Sequence, residues 1–167
     1  MINNPDLSFV LPGEDRSFGG NILYVDLVPR STWKINARSV LAPEVWRDMS
    51  RAVRGRAGSC CEVCGNDGRL EAHERWSYDD VANIQKLERL ICLCKDCHTT
   101  THFGLAQIQG MGEQAQQHLM RVRGFTPRQA KEHIGDAFAV WHVRNAYKWQ
   151  VDLDILSDFL PPTSGIS

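Results

Sequence analysis

A chain of 167 residues and 18.9 kDa has the size of one ordinary domain and can build a core without disulfide help. Hydrophobic residues at 43% and charged residues at 23% exclude a disordered or fibrous chain. A net charge of -1 argues against a uniformly basic nucleic-acid binder, and no apolar run approaches the roughly 20 residues that span a bilayer.

Residues 1–20, rich in Asn, Pro and Gly, read as a loosely ordered arm. Residues 1–6 lack the basic and apolar regions of a secretory leader, so a cytoplasmic, reducing location is expected. An apolar run at 22–28, stopped by Pro29, suits a strand. Pro43 suits the first turn of a helix reaching about Arg54, with Val45, Trp46, Met49, Ala52 and Val53 inward and Arg47, Arg51 and Arg54 outward. Residues 30–58 hold seven cations against two acids, a local +5 concealed by the overall neutrality. Such a segment is either a solvated face or a footprint for phosphates. Residues 70–76 suit a short strand followed by an acidic turn at Asp79 and Asp80, whereas 81–90 reads as amphipathic or irregular. A helix is expected from Cys97 to about Gln109, with Gly104 its weak point. The clearest helix begins at Thr126: Pro127 fits its first turn and Gln129 completes a capping box. Its apolar residues Ala130, Ile134, Ala137, Phe138 and Trp141 carry it to about Tyr147, and Val151, Leu153 and Ile155 suggest a final strand.

All six cysteines lie between 60 and 97. Cys61 and Cys64 form one CxxC pair, Cys94 and Cys97 a second, with 29 residues between them. Two such knuckles can turn four thiolates onto one ion, the closed arrangement preferred by structural zinc. Cys60 and Cys92 fall outside the pattern and read as packed thiols. His98 follows the last knuckle directly and His102 lies one helical turn on, so both imidazoles face the same way. His73, between the knuckles, is a third candidate for a shared metal site.

The order Cys61-x-x-Cys64, then Leu70-Glu71-Ala72-His73-Glu74, then Leu90 to Cys97-His98-x-x-x-His102 resembles the HNH (ββα-metal) nucleases of the zinc-stapled kind over roughly residues 58–105. The resemblance implies two antiparallel strands and a helix around one divalent ion, and hydrolysis of a nucleic-acid phosphodiester. It places His73, His98 and His102 as ligands of that ion, which would be Mg²⁺, Mn²⁺, Ni²⁺ or Zn²⁺. The family's general-base histidine is Glu74 here, and the site of its central asparagine falls on or near Arg89. In an alternative register His73 is the base, and Glu71 or Glu74 joins His98 and His102 at the ion. Arg75 or Arg89 would clamp the scissile phosphate, as a bidentate guanidinium can.

The expectation is therefore an α+β fold in a single compact domain. An N-terminal arm, strand and basic helix (1–57) precede a zinc-stapled ββα core (58–110) and a C-terminal helical extension (111–167). The expected function is a metal-dependent endonuclease acting on nucleic acid, DNA in the first place, with phosphates held by Arg47, Arg51, Arg54, Arg56 and Arg75. The alternative is a catalytically impaired zinc protein of the same fold that binds nucleic acid or a protein partner.

Overall fold

A long hairpin organises the chain. In the computed structural model, which describes residues 11–162, β1 (Leu70–Asp79) pairs antiparallel with β2 (Ile84–Cys94), from Leu70 opposite Cys94 to Asp79 opposite Ile84. The turn is made by Asp79, whose carboxylate accepts the N–H groups of Val81 and Ala82 at 2.9 Å, and by Asn83 at a left-handed φ of 55°. Asparagine tolerates that conformation better than most residues. The segment expected to be amphipathic or irregular is thus a turn running into a strand. A register shift between Arg75 and Trp76, which leaves Glu88 extra on β2, disguises it. The buried residues Leu87 and Leu90 are three apart and yet share a face. A bulge of this kind breaks the period of two that identifies a strand.

The hairpin has two covered faces. On one, Trp76, Leu87, Leu90 and Cys92 pack against α1 (Ala37–Val40) and α2 (Pro43–Arg56) through Ala37, Met49 and Val53. On the other, Ile91 and Leu93 meet four helices: α3 (Lys95–Thr101), α4 (Phe103–Ile108), α5 (Gly112–Arg123) and α6 (Pro127–Arg144). Because both faces are buried, the run Leu90–Cys94 is apolar without alternation. A third strand, β3 (Gln150–Asp152), pairs in parallel with Ile84–Lys86, giving a mixed sheet in the order β1-β2-β3. The tail then turns into a 3₁₀ helix at Asp154–Phe159, so the expected final strand is only three residues long.

Helix α2 begins at Pro43 as expected, and α6 carries the predicted capping box, with Thr126 and Gln129 each bonded to the other's backbone N–H. Three other expectations are corrected. Residues 22–28 are not a strand. Their polar backbone groups are taken by the Nε2 of His133 on Val25, the Thr101 carbonyl on Asp26, Arg75 on the Ile22 carbonyl and Arg123 on the Leu23 carbonyl. With those groups satisfied by single partners, no ladder forms.

The described part of the arm, residues 11–20, is tied down rather than loose. Leu11 sits in the core, and the Glu14 carboxylate forms a fully buried pair with Arg56 while accepting the Leu90 N–H. Residues 1–10, including those read for the absence of a leader, lie outside the described part. The helix expected at 97–109 is two helices, broken at His102 where ψ is 50°. Helix α5 carried no assignment in the sequence.

Candidate metal centres

The first centre joins the two ends of the hairpin. Cys61-Glu62-Val63-Cys64 forms a knuckle closed by Gly65, whose N–H reaches the Cys61 carbonyl at 2.9 Å with φ at 77°. Glycine adopts that left-handed value without strain. The knuckle is bound to β2 by Glu62, whose N–H donates to the Cys92 carbonyl at 2.9 Å and whose carboxylate accepts the Cys92 N–H at 2.7 Å. Cys94 ends β2 and caps α3, its sulfur accepting the Cys97 N–H.

The Sγ atoms of Cys61, Cys64, Cys94 and Cys97 all lie within 4.8 Å of one another, Cys64 and Cys94 at 3.6 Å. Four sulfurs about 2.3 Å from a tetrahedral ion stand about 3.8 Å apart, so the cluster has the size to hold one. Contacts among the thiols shift them in opposite directions. A hydrogen bond from Cys97 and knuckle N–H groups pull the Cys61 thiol down to about 4, while Cys97 is pushed up by the same bond and by burial. Burial likewise drives Cys94 up to about 11. Cys60 and Cys92 stand outside the cluster; Cys92 is buried and its thiol is pushed up to about 12, first by burial.

The second centre begins one residue later. His98 and His102 project from the α3 segment, whose i to i+4 hydrogen bond runs from the His102 N–H to the His98 carbonyl at 3.1 Å. His73 meets them from β1: it stands opposite Ile91 in the register and so faces the four-helix side. The three ring centroids are 4.8–5.0 Å apart, and one ligand atom from each imidazole falls within 4.8 Å of the others.

His73 is 2% exposed and neither of its ring nitrogens has a hydrogen-bond partner. A buried polar atom left unpaired costs roughly 1–3 kcal/mol, so an imidazole with two calls for an explanation. Burial holds His73 well below its ordinary value, and burial together with the His98 charge takes His102 down to about 4. Both are therefore neutral at pH 7, the state in which imidazole binds metal. Glu71 bonds the Nδ1 of His98, and Arg69 approaches Glu71 at 3.2 Å. A carboxylate on one ring nitrogen leaves Nε2 free and fixes the ring, the usual outer support of a metal-binding histidine. Although burial works against the Glu71 carboxylate, His98 and Arg69 hold it below its ordinary range.

Other predicted site residues are elsewhere. Glu74 stands opposite Leu90 and faces the α1–α2 side of the hairpin, where its Oε1 accepts the Ala37 N–H at 3.1 Å. Burial raises its pKa. Arg75 and Arg89 stand opposite each other but are only 1% exposed. Arg75 lies over the Tyr24 ring at 4.1 Å and donates to the Ile22 carbonyl, and Arg89 pairs with Glu62 at 3.3 Å. Neither is exposed at the surface, and each keeps two buried guanidinium nitrogens without a hydrogen-bond partner. Arg56 is likewise removed from the exposed basic face by its buried pair with Glu14. Arg47 and Arg51 are exposed, share Asp48 at 3.7 and 3.8 Å, and belong with the partly buried Arg54 to a helix on the face opposite the histidines.

One contributor had no sequence signal of its own. His118 on α5 places Nε2 3.2 Å from the Cys97 sulfur, and Arg121 donates to its Nδ1 at 2.9 Å. Since arginine can only donate, Nδ1 accepts and Nε2 carries the proton toward the sulfur. The i, i+3 spacing of His118 and Arg121 is visible in the sequence, but nothing there ties it to a cysteine 21 residues away. No family profile, curated protein or solved structure matches this chain.

Proposed function

We propose that the chain is a metal-dependent endonuclease of the HNH kind, hydrolysing phosphodiester bonds in nucleic acid, with DNA as the first substrate to test. Zinc is the ion for the four cysteines, because four thiolates in a closed tetrahedral set suit it best. The histidine set suits a second divalent ion, Mg²⁺, Mn²⁺, Ni²⁺ or Zn²⁺. His73 carries the reading: a buried imidazole with both nitrogens unpaired, facing two more imidazoles, has the arrangement of a ligand.

A divalent ion bound there supplies electrophilic stabilisation of the charge that develops on the phosphate and the leaving oxygen. His73, His98 and His102 would hold it, and Glu71 keeps the His98 ring turned toward it. Glu74, next to His73 in sequence, corresponds to the family's general-base position, although its side chain faces the other side of the hairpin. Burial raises its pKa from the ordinary glutamate value toward neutrality, the direction a base at pH 7 requires. To act, it must give up the Ala37 N–H and turn from the α1–α2 side of the hairpin to the histidine side, where the attacking water would lie.

That required exchange favours a second reading, a nucleic-acid-binding protein of the same architecture that does not cleave. Nicking of supercoiled plasmid with each of the four ions separates the two. The nuclease reading expects cleavage that His98→Ala abolishes and Glu74→Gln slows by about 10²- to 10⁴-fold. Intact plasmid with every ion, while binding persists, leaves the second reading.

A further inference from the structure

The mechanism uses none of residues 30–41, yet this stretch holds Arg30, Lys34 and Arg38 and no acid. Trp33 stands among them with 58% of its surface exposed. Its indole is not free to swing, because Nε1 donates to the Val28 carbonyl at 2.8 Å. That oxygen also accepts Trp141 Nε1 at 3.0 Å, and the Arg30 guanidinium lies 4.7 Å above the Trp141 ring. Thr32 is buried and bonded to Gln85, and Asn36 and Ser39 form a reciprocal cap on α1. The segment is a braced loop that presents one fixed aromatic face to solvent.

Its position matters as much as its rigidity. At one end the Asp26 N–H donates to the carbonyl of Thr101, the residue before His102. At the other, the Ala37 N–H donates to Glu74, the residue after His73. Ala37 thus fixes the loop to the α1–α2 side of the hairpin, and the chain just ahead of it is fixed at Asp26 to the helix that carries His98. Lys34 and Arg38 are exposed and take part in no ion pair among the described residues, whereas Arg47 and Arg51 on α2 share Asp48.

We infer that this loop is a docking surface for single-stranded nucleic acid, in which an unpaired base stacks on Trp33 while Lys34 and Arg38 hold the flanking phosphates. Charge selects a polyanion, and a fixed indole face among cations selects one with planar rings to stack. A basic track combined with an aromatic platform is how strands are held without sequence readout. The inference rests on the nuclease reading for the substrate class, but it makes its own claim about where the strand lies.

The test is fluorescence anisotropy of a labelled 15-nucleotide oligo-dT. The zinc-loaded full chain is used with no other divalent ion and no chelator, so that nothing is cleaved. Trp33→Ala should weaken binding about tenfold, within the range alanine substitution of a stacking aromatic produces, and Trp33→Phe should restore most of it. Lys34→Ala with Arg38→Ala should flatten the slope of log affinity against log salt by about 1.4. An oligonucleotide with abasic residues should bind the wild type as weakly as oligo-dT binds Trp33→Ala. Unchanged zinc content in each variant shows that the fold is intact.

The inference is overturned if Trp33→Ala binds like the wild type, if Arg47→Ala with Arg51→Ala carries the whole loss, or if the wild type binds a duplex but no single strand. Binding without cleavage under any ion removes the nuclease reading and leaves this one standing.

Discussion

The two candidate centres are adjacent in sequence, at Cys97 and His98, and differ in what the protein alone has satisfied. Three of the four thiols already accept hydrogen bonds: backbone N–H groups reach Cys61 and Cys94, and His118 reaches Cys97. In the histidine centre Glu71 supports His98, while His73 has no partner on either nitrogen. The first is a closed set that joins the two ends of the hairpin, so an ion bound there would be part of the fold. The second follows it directly in sequence and has hydrogen-bonding capacity left over.

The largest expected effect tests whether the second centre depends on the first. Cys97→Ser should cost on the order of 5 kcal/mol or more, a share of the about 10–16 kcal/mol by which structural zinc stabilises small domains. It should also abolish ion binding by the histidines, whereas His98→Ala should lose the second ion and keep the first. Metal content and thermal unfolding of both variants check it. A Cys97→Ser chain that still loads the histidine centre breaks the comparison.

Acidification sharpens it, in chains loaded at the thiol cluster alone. His102 has a folded pKa of about 4 against 6.5 for the unfolded chain, so its contribution is present above 6.5 and lost as pH falls toward 4. Asp26 is opposite in sign. Burial outweighs Tyr78, Arg144 and Arg75 and raises it from 3.8 to about 6, so its contribution is present below 3.8 and lost as pH rises through 6. At 1.36 kcal/mol per pH unit each amounts to about 3 kcal/mol. Urea midpoints between pH 7 and pH 4 should fall more steeply in Asp26→Asn than in the wild type, and should rise in His102→Asn. Parallel profiles for the three proteins would remove the assignment.

A smaller effect isolates the unpaired imidazole. Without the second ion, His73→Leu should stabilise the chain by about 1–3 kcal/mol, because two buried unpaired nitrogens are removed. Adding that ion should raise the Tm of the wild type but not of the variant. Smallest is His118→Phe, expected to weaken the thiol-bound ion about tenfold, or about 1.4 kcal/mol, as loss of an outer hydrogen bond to a ligand does. Competition against a chromophoric chelator measures it, and His118→Gln should recover part of the loss. An unchanged affinity would reduce His118 to packing.

The sequence made the ligands legible and their surroundings much less so. Cysteines at CxxC spacing and histidines one helical turn apart identify themselves, because the geometry that unites them is local. Pro43 and the Thr126–Gln129 box are equally local, and both helices start where expected. Strand β2 was hidden because a bulge at Glu88 shifts its alternation and because Leu90–Cys94 is buried on both faces. The run at 22–28 has strand composition but finds isolated partners in place of a ladder. Arginine side chains misled most. Arg56, Arg75 and Arg89 read as surface cations, and only long-range contacts with Glu14, Tyr24 and Glu62 reveal that they are interior.

Strand β3 bears on how the chain is made. Every candidate ligand of both centres lies between 61 and 102, and Glu14, Asp15 and Glu62 bond the outer edge of β2 from Glu88 to Cys92, but its Ile84–Lys86 part is covered only when Gln150–Asp152 pairs with it. At 5–20 residues per second, roughly 3–10 s separate the emergence of Cys97 from that of residue 150. Through that interval a nascent chain carries an open strand edge, which is prone to pair with its neighbours. An ion captured by the four cysteines would join the two strands early in that interval, so aggregation of newly made protein should fall as metal supply during translation rises.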